Sequence, residues 1–386
     1  MWEGQCEGLL TQDGQRNSTY AFFIQCSFAE SGVFIGKKRT CIINYKHFII
    51  MNKTIFSAAI AAVLIVGAST SMSAKSWRIH NMEIYKPHFT DINAAMASED
   101  VQDGDTLYLD PGCTISGTQN VTKQVTIVGA GYFMKERQYG ISTISGALYM
   151  KANNSKIEGV YLSSYLYIAA NEVTVERCRI KSQIYSSGNN AQNATIKQCY
   201  LSYIYGAGST STNSSDWRIE GCIVSSVHEL YCATIVHNYL RNTSGSGYYC
   251  LSSLSNCVIS DNILHRANNS YRNNVFYSLT NCSVVNNILS CDEGTYTAFP
   301  NNICMGTNDF SQVLSLTNDD EYVLVDDSPA INYAIDGTDC GPTGGEYPYV
   351  TAGLPYGHPY YTRAVVGSTA IDGKLNVSLK VKMQDE

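Results

Sequence analysis

The chain has 386 residues, with 26 Lys and Arg against 33 Asp and Glu, which gives a formal net charge of −7. Only 15% of the residues are charged, against about 25% in an average globular protein, whereas tyrosine alone reaches 28 residues. This composition argues against nucleic acid as a partner, because no basic surface is available, and it suits strands and turns better than helices.

The beginning of the chain contains a pattern typical of export. From Met51 a basic start, an apolar run at residues 55–66 and a series of small residues predict a secretory signal peptide over residues 51–74. The apolar run is shorter than the roughly 20 residues of a spanning helix, which disfavours the alternative of a membrane anchor. Because a signal peptide starts at the initiator Met, we interpret residues 1–50 as a gene-model extension or a disordered segment. We therefore expect an exported protein that is periplasmic, extracellular or on the cell surface.

Three short segments after the predicted signal peptide predict one helix and two strands. Residues 90–98 begin with cap-type residues and carry apolar residues at helical spacing, which predicts a short helix that covers the first coil. Residues 105–112 and 124–131 alternate between polar and apolar side chains and predict two strands.

A nine-residue pattern then occurs seven times between residues 154 and 289. Its first column is Ile157, Val175, Ile196, Ile219, Ile235, Ile259 and Val284. Its second column, three residues on, is Val160, Cys178, Cys199, Cys222, Asn238, Asn262 and Asn287. Its third column, five residues on, is Leu162, Ile180, Leu201, Val224, Leu240, Leu264 and Leu289. The units are about 21 residues apart, too short for a propeller blade, and they lack the helical half of a leucine-rich repeat.

The repeat predicts an all-β fold, a right-handed parallel β-helix (solenoid) with a short N-terminal capping helix and a C-terminal strand tail. The second and third columns are two residues apart, so they face the same way on one strand. Between the first two columns, Gly159, Gly221, Asp261 and Asn286 are residues that tolerate a left-handed corner. We expect the buried Cys residues to stack and the Asn residues to form an amide ladder from coil to coil.

The end of the chain changes in character. Residues 322–332 predict a last strand followed by a turn broken by proline, and residues 341–361 are rich in Gly, Pro and Tyr. Residues 375–383 alternate as one terminal strand. We therefore expect a β-helix domain at residues 75–345 and a C-terminal tail at residues 346–386.

These motifs resemble the right-handed parallel β-helix (pectate-lyase-like) superfamily, in particular uncharacterised secreted bacterial members. The resemblance rests on DGDTLYLDPG and VTKQVTIVGAG at the first coils and on SPAINYAIDGTDCGPTGG at residues 328–345. It implies either a polysaccharide lyase, with Ca²⁺ bound by acidic residues and a basic catalytic residue, or a glycoside hydrolase with grouped Asp residues. Neither constellation can be placed residue by residue on this sequence, so the catalytic residues stay unknown.

The repeat also predicts a candidate binding face. The residue between the second and third columns is expected to face outward, and the residue two positions further along the strand is expected on the same face. From these two ranks we select Tyr161, Arg179, Lys181, Tyr200, Tyr239, Arg241 and His265 as candidate substrate-binding residues. Tyrosine rings offer apolar surface to sugars, and the cations could pair with uronate or sulfate groups. The alternative is an ordinary tyrosine-lined sheet face with solvated charges.

Other chemistry is less favoured by the sequence. His228, Glu229 and His237 lack a repeated metal-ligand spacing, so we expect no metal site and no cofactor, apart from Ca²⁺ if the protein is a lyase. Cys257 and Cys282 share a rank and could form a bridge, but mostly free, buried thiols are the preferred interpretation. We expect a monomer that binds polysaccharide and consider two alternatives, a polysaccharide lyase or glycoside hydrolase and a structural or adhesive surface protein.

Overall fold

The computed structural model describes residues 4–12, 20–28, 74–132, 140–188, 190–318, 321–354, 360–371 and 374–382. The chain divides into two compact units, residues 1–72 and 73–386. In the first unit, β1 (Gly4–Gln12) pairs antiparallel with β2 (Tyr20–Phe28). This pair lies in the segment interpreted above as an extension or as disordered, and whether that segment is translated stays a prediction. The predicted signal peptide, residues 51–74, lies outside the described residues except for Ala74.

The second unit is a parallel β-helix, as the repeat predicts, in which strands of equal rank in successive coils pair in parallel. Strands are numbered here in chain order. Sheet A has ten strands: β3 (Ser76–Ile79), β4 (Thr106–Leu109), β7 (Thr126–Val128), β10 (Lys156–Glu158), β13 (Thr174–Glu176), β15 (Thr195–Lys197), β17 (Arg218–Glu220), β19 (Thr234–Val236), β22 (Val258–Ser260) and β25 (Ser283–Val285).

Sheet B has fifteen strands: β5 (Thr114–Ile115), β6 (Gln119–Val121), β8 (Thr143–Ile144), β9 (Leu148–Met150), β11 (Tyr161–Leu162), β12 (Leu166–Ile168), β14 (Arg179–Ser186), β16 (Tyr200–Tyr205), β18 (Ile223–His228), β20 (Tyr239–Asn242), β21 (Leu251–Ser255), β23 (Ile263–Arg266), β24 (Phe276–Thr280), β26 (Ile288–Leu289) and β27 (Ile303–Cys304).

The three sequence columns are the interior of the helix. All their members are buried, and the first and third columns pair residue by residue from coil to coil. In the second column, the Asn262 backbone N–H and side-chain amide both donate to Asn287 Oδ1, each at 2.9 Å. The ladder continues one rung beyond the sequence repeat, because Asn287 donates in the same way to Asn302 Oδ1. The predicted amide ladder is therefore confirmed and is longer than expected.

Each of the seven repeat coils turns at two left-handed corners, one on either side of its sheet A strand. The corner after the strand is Gly159, Arg177, Gln198, Gly221, His237, Asp261 and Asn286, all with φ between 48° and 66°. The corner before the strand is Asn154, Glu172, Asn193, Asp216, Cys232, Asn256 and Asn281, all with φ between 52° and 61°. The four corner residues named from the sequence are confirmed, and all seven repeat coils share their conformation.

The ends of the helix carry further elements. Helix α1 (Ile92–Ala97) starts at Asp91, whose carboxylate accepts a hydrogen bond from Ala94 N at 2.8 Å, and it buries Ile92 and Met96, as predicted. Single 3₁₀ turns are Glu83–Tyr85, Thr212–Ser214, Asn269–Tyr271 and Thr351–Gly353.

Two antiparallel strand pairs follow the coils. They are β28 (Leu314–Asn318) with β29 (Glu321–Leu324), and β30 (Tyr360–Ile371) with β31 (Lys374–Lys382). The predicted terminal strand is thus present as β31, and it has a long partner, β30, that the sequence did not indicate.

Candidate functional site

Part of the predicted outward face forms a compact group. Tyr161, Arg179 and Tyr200 lie side by side on β11, β14 and β16. The Arg179 guanidinium lies 6.0 Å from the centroid of the Tyr161 ring and 5.1 Å from that of Tyr200. Lys181 is exposed two residues beyond Arg179 on the same strand. The structure therefore brings four of the seven selected residues together at an accessible surface.

The expectation of a continuous solvent-exposed face is wrong for the later coils. Tyr239 is 1% exposed and His265 is 7% exposed, although Arg241, the register partner of His265, is exposed. The Tyr239 hydroxyl lies 2.9 Å from His265 Nδ1, and the His265 ring stacks on Phe310 with centroids 4.2 Å apart. Tyr239 and His265 are therefore packing residues beneath another part of the chain.

The part of the chain that covers them comprises residues 305–318 and 321–354, called the cover below. Its apolar side chains include Phe310, Val313, Leu314 and Tyr322, and they pack on the outward residues of the later coils: Ile223, Tyr239, Ile263 and Ile288. Three of these four outward positions are Ile, where the earlier coils have Tyr or Arg, and this change is the sequence signal that indicates a covered face.

The cover also binds the left-handed corners. Asp261 Oδ1 accepts a hydrogen bond from Ile335 N at 2.9 Å, and Asn286 donates its amide to Tyr333 O at 3.0 Å. His237 Nδ1 lies 3.1 Å from the carbonyl oxygen of Asp339. The corner side chains thus hold the cover, a role that accounts for Asp261 and His237 without a metal.

A second aromatic group lies further along the same strands and was missed by the sequence analysis. It consists of Tyr149, Tyr167, Tyr185, Tyr205 and His228, called the aromatic ladder below. These residues are register partners on five successive strands of sheet B: β9, β12, β14, β16 and β18. Their ring centroids are separated in turn by 4.4, 5.7, 5.3 and 4.7 Å, with interplanar angles of 9° to 20°. Tyrosine recurs at intervals of 18 to 20 residues, so a search for this second column would have found the ladder.

The stacking determines which part of each ring is accessible. The faces of Tyr167, Tyr185 and Tyr205 are covered on both sides by their neighbours, so their edges and hydroxyl groups are what this surface presents. Tyr165 and Tyr203 flank the ladder at tilts of 36° to 43° to its tyrosine rings, and Tyr165 is 39% exposed. The surface is therefore a row of hydroxyl groups with tilted tyrosine rings beside it.

The ladder is uncharged near neutral pH. Burial raises the pKa of Tyr167, and the neighbouring Tyr149 hydroxyl raises it further. Burial also raises the pKa of Tyr205 and lowers the pKa of His228 to about 4. Tyr167 and Tyr205 are thus protonated, and the His228 imidazole is neutral. The Lys151 ammonium lies 5.2 Å from the centroid of the Tyr149 ring and places one positive charge at one end of the ladder.

Three buried polar atoms at the ladder have no hydrogen-bond partner among the described residues. They are Gln183 Oε1 and Ser186 Oγ, on either side of Tyr185 on β14, and His228 Nε2 at the last ring. His228 Nδ1 is engaged with Ser252 Oγ at 2.5 Å. An open depression of about 460 Å³ lies beside the middle of the ladder, lined by Tyr165, Tyr167, Tyr185, Ser186 and Ser187. Unsatisfied buried polar atoms are costly, so such atoms beside a depression favour a polar ligand.

A close pair of carboxylates lies on sheet A, but it is neutralised. Lys156 Nζ bridges Glu158 and Glu176 at 2.7 Å to each, and Arg177 contacts both carboxylates. Burial alone would raise the pKa of Glu176, but the hydrogen bond from Lys156 and the nearby cations outweigh it and hold the pKa below its usual value. Glu176 therefore stays a carboxylate that is paired with cations, which does not suit the acid of a glycosidase.

Within the described part of the chain, no group of three or more His, Cys, Asp or Glu residues is arranged to hold a metal ion. The described helices also include none that is long and apolar enough to cross a membrane. No protein-family model matches the chain, and a search of curated proteins gives no significant match.

Proposed function

We propose that the protein is an exported polysaccharide-binding protein and that the aromatic ladder is its binding surface. The observation that carries this proposal is the accessible row of stacked tyrosines at Tyr149, Tyr167, Tyr185 and Tyr205, with its flanking Tyr165. Tyrosine gives a rigid, amphipathic contact at a low entropic cost, and stacking reduces that cost further because the rings are already ordered.

The repeat of the ladder suits a polymer. Ring spacings of 4.4 to 5.7 Å carry the hydroxyl groups along the axis of the helix, so one extended chain of hydroxyl-rich units can engage several tyrosines at once. Each contact is weak alone, and their sum along the chain gives the affinity. The tyrosines themselves are uncharged, and Lys151 adds its charge only at the first ring. We therefore favour a neutral polysaccharide over an acidic one.

Membership of the pectate-lyase-like superfamily is part of this proposal. It is supported by the parallel coils, the buried amide ladder and the sequence motifs at residues 103–112, 121–131 and 328–345. A lyase or hydrolase activity has weaker support, because the close carboxylate pair on sheet A is held by Lys156 and Arg177.

The test is binding of the full chain to a panel of neutral and acidic polysaccharides, measured by affinity electrophoresis. Tyr167→Ala/Tyr185→Ala is expected to weaken binding at least roughly tenfold, because two hydroxyl contacts and the middle of the stack are lost. Tyr167→Phe/Tyr185→Phe keeps the rings and is expected to weaken binding by a smaller factor. Tyr85→Ala, at an exposed tyrosine of the 3₁₀ turn Glu83–Tyr85 outside the register column of the ladder, is the matched control and should bind like the wild type.

Several outcomes would count against the proposal. Wild-type chain that binds no member of the panel removes the function, and ladder variants that bind as well as the wild type remove the site. Binding to acidic polysaccharides alone removes the neutral substrate class. Ultraviolet absorbance of an unsaturated product or release of reducing ends would replace binding by lyase or hydrolase activity.

A further inference from the structure

Two cysteines at the last coil are placed differently from the other thiols in the helix. Cys291 is fully buried just after β26, and Cys304 is a half-buried residue of β27. Their sulfur atoms are 2.9 Å apart. Cys304 lies opposite Leu289 in register and so occupies the inward leucine rank, which directs its thiol towards Cys291.

The stacked cysteines offer a comparison within the same molecule. The Cys178 and Cys199 thiols donate to the carbonyl oxygens of Glu176 and Lys197, each at 3.2 Å. Cys257 and Cys282 also occupy equal ranks, and their thiols donate to Ser255 O at 3.3 Å and Thr280 O at 3.4 Å. Each of these four thiols donates to a carbonyl two residues earlier in the chain, whereas the Cys291 and Cys304 sulfur atoms are in direct contact.

We propose that Cys291 and Cys304 are an oxidation site, where a disulfide forms in the presence of a disulfide oxidant. The Cys304 thiolate attacks one sulfur of the oxidant, forms a mixed disulfide and releases the first reduced thiol. The Cys291 thiolate then attacks the Cys304 sulfur, forms the Cys291–Cys304 bond and releases the second. Two electrons pass to the oxidant, which also takes up the two thiol protons.

The order of the two steps follows from the surroundings. Cys304 is the accessible member, whereas burial and the adjacent Cys304 thiol raise the pKa of Cys291. Only the thiolate attacks a disulfide, so the accessible cysteine reacts first and the buried one resolves the mixed disulfide.

The bond would join the last coil to the start of the cover. Gly306 N donates to Cys291 O at 2.9 Å and Met305 N donates to Leu289 O at 2.8 Å, so the cover leaves the helix immediately beside the cysteine pair. A cross-link there closes a short loop and stabilises chiefly by restricting the unfolded chain. We expect oxidation to raise the melting temperature by several degrees.

The experiment uses the purified full chain, reduced and then equilibrated with glutathione disulfide as the oxidant. The chain is unfolded with an alkylating agent and cut after leucine, phenylalanine and tyrosine residues, which leaves Cys291 as the only cysteine of residues 290–296 and Cys304 as the only cysteine of residues 297–310. A linked pair of peptides that contain Cys291 and Cys304 is the expected result. Alkylation of both residues, or a link from either to another cysteine, would overturn the proposal.

Thermal melting supplies an independent readout. The increase in melting temperature on oxidation should be absent in Cys291→Ser and in Cys304→Ser. It should persist in Cys257→Ser, the matched control. An increase in melting temperature that persists in both Cys291→Ser and Cys304→Ser would contradict the proposed disulfide. The peptide measurement uses the wild type, so it remains a test even if a variant folds poorly.

Discussion

The first and second halves of the β-helix use the same coil with different chemistry. From Cys178 to Cys222 the buried second column is sulfur. The outward rank there is half-buried at Arg179 and Tyr200, with Arg179 between two tyrosines, and becomes buried at Ile223. From Asn238 to Asn302 that column is amide, and the outward rank is buried beneath the cover. The backbone of the coil is therefore set by its columns and corners, whereas the outward residues determine whether a coil faces solvent or packs against another segment.

Removal of one amide from the second half is expected to have the largest effect on stability. The Asn262 side-chain amide donates to Ile235 O and Ser260 O at 2.8 Å, and its Oδ1 accepts from Asn238 N at 2.9 Å. Asn262→Ala leaves several buried polar groups unpaired and is expected to lower the free energy of unfolding by about 4 kcal/mol. The measurement is urea denaturation.

The matched variant in the first half is Cys199→Ala. The thiol makes weak contacts to backbone groups, such as the 3.4 Å contact from Cys178 N, so its loss should cost only about 1 kcal/mol. An equal loss in the free energy of unfolding for Asn262→Ala and Cys199→Ala would show that sulfur and amide are interchangeable in this column.

A somewhat smaller effect is expected from loosening the cover. Phe310 is buried against His265, and Phe310→Ala is expected to cost about 3 kcal/mol and to increase hydrogen exchange in residues 305–341. Exchange in the first-half coils should not change. Unchanged exchange in the cover would mean that Phe310 does not hold it in place.

A pH titration tests the same contact with a smaller effect. Burial lowers the pKa of His265 to about 4, and the charge of Arg241 also lowers it, whereas the hydrogen bond to Asn308 O and the charge of Asp309 act in the opposite direction. Because Nε2 faces the Asn308 carbonyl at 2.8 Å, it carries the proton, and Nδ1 accepts from Tyr239. Protonation of Nδ1 would remove the acceptor of the Tyr239 hydroxyl.

The direction in which stability changes with pH follows from the lowered pKa of His265. Unfolded histidine titrates near 6.5, so below that pH the unfolded chain binds more protons and the folded chain loses stability. Between pH 7 and pH 5 we expect His265 to account for a loss of about 2 kcal/mol, and His265→Gln should remove that part of the slope. His228 in the aromatic ladder has a similar pKa of about 4, so His228→Gln should remove a separate part of the dependence of stability on pH. A slope that His265→Gln leaves unchanged would contradict this assignment.

The columns of the helix were predictable because each buried column repeats in composition, and residue type alone indicates an interior position. The corners were only half predictable: Arg177, Gln198 and His237 adopt the left-handed conformation because of their register, not because of their residue type. The cover was not predicted because it contacts coils far from it in sequence, although Ile263 and Ile288 in an outward rank are its sign. The aromatic ladder was missed because its rank lies beyond the nine-residue pattern.

The smallest effect concerns a feature that both halves share, the left-handed corner before each sheet A strand. Glu172 occupies it with φ of 59° and is exposed, whereas the equivalent Asn154, at φ of 58°, belongs to a residue type that tolerates this conformation. Glu172→Gly relieves the backbone strain at the expense of a more flexible unfolded chain, so we expect a net gain of about 0.5–1 kcal/mol. Asn154→Gly should give almost no gain in stability. Thermal melting of the two variants checks the difference, and a loss of stability in Glu172→Gly would mean that the carboxylate side chain contributes more than the strained backbone costs.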